Sequence, residues 1–196
     1  MSKTAKFNRE EVIEKATNLY WSKGYHGTSM RNLQTAIDLR PGSIYATFGS
    51  KDNLFKESIH YYAKKTGELL DDCLNQSDSP LSGLKLFVNK LILDNLDGTP
   101  SCMCMIVKSI SELTESDNKV LLDEAKHLLL IVESKFADII KQAIEENEID
   151  KSKDPLELAS FLQVQIMGLR TYARVNNNEK MVKKFIDNIF TGSPFQ

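Results

Sequence analysis

The sequence is poor in the features that mark several large classes of protein. Three cysteines in 196 residues, an odd number, do not make a disulfide framework and suit a reducing compartment, the cytoplasm. No run approaches the roughly 20 uninterrupted apolar residues that a helical membrane span needs. The opening MSKTAKFNREE has no apolar stretch, so no secretory signal is expected. Alternating strand patterns and internal repeats are missing. So are a glycine-rich phosphate loop, His-Glu-x-x-His and Gly-x-Ser-x-Gly, the commonest marks of nucleotide, zinc-protease and hydrolase chemistry. The three histidines, His26, His60 and His127, are scattered along the chain. No enzyme, cofactor or metal site is expected.

What is present is unevenly placed. Residues 1–67 hold eleven Lys or Arg against six Asp or Glu, a balance of +5, and residues 68–196 hold fourteen against twenty-one, a balance of −7. A basic head on an acidic body points to a polyanion partner for the head alone.

The apolar residues repeat with helical spacing nearly throughout. Asn8 stands three residues before Glu11, a capping-box spacing, and Val12, Ile13, Ala16, Leu19 and Tyr20 form one stripe that Gly24 ends. Thr28 or Ser29 caps a second helix carrying Met30, Leu33, Ala36 and Ile37. After a break at Asp38–Leu39–Arg40, Pro41 suits the first turn of a short third helix from Gly42 to Phe48. Ser50 caps a fourth, extending to about Leu74 before the loop at 75–80. Further helices are expected at 80–96, 102–114, 117–147, 154–175 and 178–190. The fold class is all-α, with about nine helices: a three-helix N-terminal unit (1–49) and a helical C-terminal unit (50–196) linked by the fourth helix.

Two short helices joined by a tight turn have the dimensions of a helix-turn-helix. Pro41, Gly42 and Ser43 keep the start of the second of them free of bulk, and a helix N-terminus offers N–H groups and a positive dipole end to phosphate. Arg31, Arg40 and Thr47 are side chains suited to bases or backbone in a major groove, and Lys51, opening the next helix, adds a second phosphate clamp. Leu33, Ile37, Ile44 and Phe48 read as packing.

The run TSMRNLQTAIDLRPGSIYATFGSKDNLF resembles the DNA-binding signature of the tetracycline-repressor (TetR) family. Its elements are Gly24–Tyr25–His26–Gly27–Thr28, then Gly42–Ser43–Ile44–Tyr45–Ala46–Thr47–Phe48, then Ser50–Lys51–Asp52–Asn53–Leu54. Asp38 stands where the family usually has glycine, and Pro41 where it has Lys or a small polar residue. The resemblance implies contacts to operator DNA from Thr28, Ser29, Arg31, Arg40, Gly42, Ser43, Tyr45, Thr47 and Lys51. It further implies a repressor, released by a small-molecule or thiol-reactive inducer and acting as a homodimer on palindromic double-stranded operator DNA. A ligand-independent regulator or an activator is the alternative.

The last two helices support a dimer independently. The segment 154–175 has apolar residues on more than one face, and 178–190 carries Met181, Val182, Phe185, Ile186, Ile189 and Phe190. Ser101–Cys102–Met103–Cys104–Met105 leaves three readings open. These residues fill core, line an inducer pocket with Phe87, Leu91 and His127, or include a reactive thiol at Cys102 or Cys104. A Cys-x-Cys pair falls short of the four ligands of structural zinc.

Overall fold

The computed structural model describes residues 8–94, 99–101, 103–176 and 178–195. It is all-helical among these residues. Three short helices open the chain: α1 (Arg9–Lys23), α2 (Met30–Ile37) and α3 (Pro41–Phe48). There follow α4 (Lys51–Asn75), α5 (Pro80–Asn89), α6 (Met105–Glu112), α7 (Glu115–Glu145), α8 (Pro155–Val175) and α9 (Glu179–Thr191).

Local sequence explains most of these boundaries. Ser29 rather than Thr28 caps α2: its hydroxyl accepts from the Asn32 N–H at 3.1 Å, while its own N–H donates to Asn32 Oδ1 at 3.0 Å. Asn8 caps α1, but through the Glu10 N–H at 3.0 Å; Glu11 instead pairs with Lys15 one turn on, at 2.6 Å. Pro41, Pro80 and Pro155 each hold a first helical position, where no N–H is needed.

Three expected helices differ in detail. The segment expected over 80–96 is α-helical only to Asn89, then widens to a π-helical stretch, Lys90–Asp94, that turns both Leu91 and Ile92 inward. The helix expected from 102 starts at Met105. That expected over 117–147 spans Glu115–Glu145, with a break at Asn118 (φ −140°, ψ 42°).

The apolar side chains form two cores. One gathers α1, α2, α3 and the first half of α4, and is closed by Met105 and Ile106 of α6 and by Leu121, Leu122, Ala125 and Leu128 of α7. The other holds the second halves of α4 and α7 with α5, α8 and α9. Helices α4 and α7 run through both. Twenty-five residues make α4 about 37 Å long, at 1.5 Å per residue, so it spans the molecule. An ion-pair strap joins these two long helices. Glu124 of α7 meets Lys56 at 2.7 Å and His60 at 2.6 Å, both on α4.

Lys56, then His60, holds the Glu124 carboxyl below its ordinary range. A carboxylate with a depressed folded-state pKa adds stability above its unfolded value near 4.3, and that stability disappears as pH falls through the lower, folded one. Urea midpoints should therefore drop between pH 5 and pH 3 by more in the parent protein than in Glu124→Gln. Parallel pH profiles would contradict this role.

Candidate nucleic-acid interface and the cavity behind it

Helix α3 is held by its inner face and open on its outer one. Ile44 and Phe48, one turn apart, are buried in the first core. Arg40, Pro41, Gly42 and Ala46 are exposed, and Tyr45 keeps half its surface in solvent. A Cβ added to Gly42 would meet nothing within 4 Å, so backbone is presented bare at the start of this helix. The turn before α3 is made by Asp38 in the left-handed region (φ 53°, ψ 42°), a conformation that Asp tolerates better than most residues.

The nine residues expected to meet DNA divide by position. Ser29, Arg31, Arg40, Gly42 and Tyr45 are exposed, and Ser43 and Thr47 partly so. The Ser29 hydroxyl is engaged in capping α2, and the Thr47 hydroxyl donates to the Ser43 carbonyl at 2.8 Å. Thr28 and Lys51 are placed otherwise than expected. Thr28 is fully buried, its hydroxyl donating to the Gly24 carbonyl at 2.6 Å, so it stitches the α1–α2 turn. Lys51 folds inward, donating to the Tyr25 carbonyl at 2.7 Å with its ammonium 4.1 Å from the Tyr25 ring centre. Burial pushes its pKa down. Its backbone N–H still belongs to the first turn of α4, but its side chain faces the protein.

Tyr25 is a junction that the sequence motif does not explain. Its ring packs edge-on against Phe55, and its hydroxyl donates to Asp52 on α4. Burial, then Asp52, pushes its pKa up to about 12. Its N–H and that of His26 both donate to the Glu112 carboxylate on α6, at 2.9 and 2.7 Å. One turn earlier on α6, the Lys108 ammonium donates to the Trp21 and Ser22 carbonyls at 2.9 and 2.7 Å, covering the C-terminal carbonyls of α1. The Trp21 indole donates to the Met103 carbonyl at 2.6 Å, just ahead of α6. Helix α6 therefore clasps the head at two points, and Met103 ahead of it adds a third.

The other side of α6 borders a cavity. The space between α4, α5, α6, α7 and α8 is a narrow cavity of about 50 Å³. Phe87, Leu91, Met103 and Cys104 line it, as the pocket reading expected. His127 does not: α7 turns Leu128, Leu129 and Val132 inward and leaves His127 exposed on the opposite side. Cys102 lies outside the described residues. Cys104 is a free, partly exposed thiol preceding the first turn of α6.

Sequence reading missed the polar part of the wall. Gln163 and Arg170 of α8 are buried, and the Arg170 guanidinium donates to the Tyr62 hydroxyl at 3.4 Å. A signal for both existed. With Ala159, Ile166 and Ala173 they fall at helical spacing on the core face of α8. Leu156, in the first turn of α8, is exposed. The outward side of α8 and α9 retains an apolar strip with Val164, Tyr172, Met181 and Phe185, bordered by a shallow groove at Gly168. Among the described residues no helix is long and apolar enough to cross a membrane, and no His, Cys, Asp and Glu side chains cluster for a metal.

An exposed reading helix on a two-helix turn, beneath a helical body, defines a helix-turn-helix DNA-binding regulator. Residues 12–58 match the family model described as bacterial regulatory proteins, tetR family. That segment is a TetR-family DNA-binding domain. The chain is 23% identical over 176 residues to the HTH-type transcriptional repressor ComR of Escherichia coli, covering 86% of this chain and 80% of that one. It is also 23% identical over 185 residues to the repressor DhaR of a Mycobacterium species, covering 93% and 90%. Among solved structures, a cysteine mutant of the TetR family regulator CifR, complexed with 26-bp operator DNA, superposes with a TM-score of 0.87 at 23% identity, over 98% of this chain and 100% of that one. The reduced form of Escherichia coli NemR gives 0.77 at 17% identity, over 96% and 97%.

Proposed function

We propose that the chain is a cytoplasmic, homodimeric repressor that holds a palindromic operator through its two α3 helices and releases it when a small molecule fills the cavity. One observation carries the reading: α6, with Cys104 just ahead of it, lines the cavity through Ile106 and Val107 and grips the reading head with Lys108 and Glu112. A ligand that widens a narrow space must displace its walls, and the wall formed by α6 is bonded to the backbone of α1 and of the turn before α2. Any ligand favouring the displaced arrangement weakens DNA affinity by the same coupling free energy.

In this reading residues 1–49 are the head and 50–196 the sensing and dimerising body. Arg31, Arg40, Gly42, Ser43, Tyr45 and Thr47 face the groove, with Ser29 at the start of α2. Thr28 and Lys51 position the head from inside. The apolar strip on α8 and α9 meets its copy in a second chain, as the expected seam 154–175 with 178–190 requires. Two heads on a two-fold axis suit half-sites about 34–36 Å apart, or a multiple. Cys104 on the cavity wall gives a thiol-reactive inducer access to the same lever.

The experiment is fluorescence anisotropy against operator DNA over a salt series, for the parent and Arg40→Ala. Arg40 is exposed immediately before α3, so the variant should bind more weakly and its log–log salt slope should flatten by about one counterion. An unchanged slope would remove Arg40 from the interface. Affinity unchanged by every cavity-bound compound would remove the sensing role.

A further inference from the structure

The outer face of α3 is short of groups that bond a base edge in pairs. Its residues, Pro41–Gly42–Ser43–Ile44–Tyr45–Ala46–Thr47–Phe48, include no amide, guanidinium, ammonium or carboxylate side chain. The two-bond pairings that separate bases in a major groove, Arg or Lys on guanine and Asn or Gln on adenine, are therefore closed to this helix. Ile44 and Phe48 are buried. Thr47 is partly buried, and its hydroxyl proton is committed to the Ser43 carbonyl at 2.8 Å. What faces outward is Pro41, Gly42, Tyr45 and Ala46: a ring, bare backbone, a second ring and a methyl group.

Gly42 and Ala46 stand four residues apart, so Ala46 lies one turn above the backbone where an added Cβ would meet nothing within 4 Å. A helix with no side chain at Gly42 can settle deep in a groove. The Ala46 methyl, one bond from the backbone, then comes against the base edges. Of the groups that base pairs show in the major groove, the thymine C5-methyl is the apolar one.

We propose that α3 reads thymine methyl groups, with Ala46 as the specificity-determining residue whose methyl packs on one thymine in each half-site. This rests on α3 being the helix that enters the groove. A cytosine at that place would lack the methyl and set its amino donor against a group that cannot accept it. Arg31 and Arg40, exposed and outside α3, supply charge for phosphate and fix the register.

The test uses a duplex selected by the parent protein from randomised DNA. Its thymines are replaced by deoxyuridine, one symmetric pair at a time. Uracil keeps the pairing and the O4 acceptor, so only the methyl is lost. Anisotropy then compares the duplexes on the parent, on Ala46→Gly and on Ala46→Ser. One symmetric pair should weaken parent binding by about tenfold, the worth of two buried methyl contacts. Ala46→Gly should bind the thymine and uracil duplexes alike. Ala46→Ser keeps a helix-compatible Cβ in case glycine loosens α3, and it too should narrow the difference; melting curves check both variants.

Equal affinity of the parent for all the duplexes overturns the methyl reading. A uracil penalty that persists undiminished in both variants overturns the assignment to Ala46. Failure of α3 as the reading helix looks different: the parent then selects no duplex, or Gly42→Asp selects the same one.

Discussion

Gly42→Asp should abolish specific operator binding while leaving the fold intact. The position is exposed, and a Cβ built there meets nothing within 4 Å, so the new side chain costs no packing. Replacing glycine inside a helix gains stability, and a carboxylate in the first turn favours the helix dipole. The same carboxylate faces phosphate once the head sits on DNA. Like charges juxtaposed at an interface cost several kcal/mol, and every 1.4 kcal/mol is a factor of ten in affinity, so a drop of about a hundredfold or more is expected, doubled in effect by the second head. Anisotropy should show this loss while calorimetry shows a melting temperature equal to or above the parent's. A variant that binds as well as the parent would place the interface elsewhere than α3.

Gly24→Ala should act through the clasp rather than through DNA contact. Gly24 ends α1 at φ 79°, ψ 174°, a region open essentially to glycine alone, and a Cβ there would lie 2.4 Å from Glu112 Oε2. The backbone term costs about 1–3 kcal/mol. The contact expels the carboxylate that accepts from Tyr25 and His26, leaving those N–H groups in search of partners. A combined loss of about 3 kcal/mol is expected, together with weaker operator binding because the turn before α2 loses its brace. Glu112→Ala removes the obstacle as well as the bond, so the two changes should combine to less than their sum. Denaturant unfolding of the four proteins of this cycle measures that coupling, and strict additivity would show that Glu112 does not brace the turn.

How much was legible in the sequence depended on how local the cause was. Helix ends set by a capping hydroxyl or a first-turn proline, as at Ser50 and Pro41, followed from neighbouring residues. The reading helix was legible because its own pattern, Gly42–Ser43–Ile44–Tyr45–Ala46–Thr47–Phe48, dictates which side is buried. Residue roles set by distant partners were not. Thr28 and Lys51 look like polar groups ready for DNA, but their fate is decided by the fold of the α1–α2 turn around Tyr25. The Glu112 clasp joins residues 86 and 87 positions apart, with no local pattern to mark it. His127 was expected at the cavity, but it lies off the face of α7 that buries Leu121, Leu122, Ala125 and Leu128, and it is exposed. Gln163 and Arg170 were visible in principle, as polar residues on an apolar face.

The most direct test of the central claim is selection of duplexes from a randomised DNA pool by the purified protein, with Gly42→Asp run in parallel. Enrichment of an inverted repeat by the parent, with half-site centres about one helical turn apart or a multiple, and none by the variant, is the expected result. Enrichment of no sequence, or of the same sequence by both proteins, would contradict a regulator that reads DNA through α3.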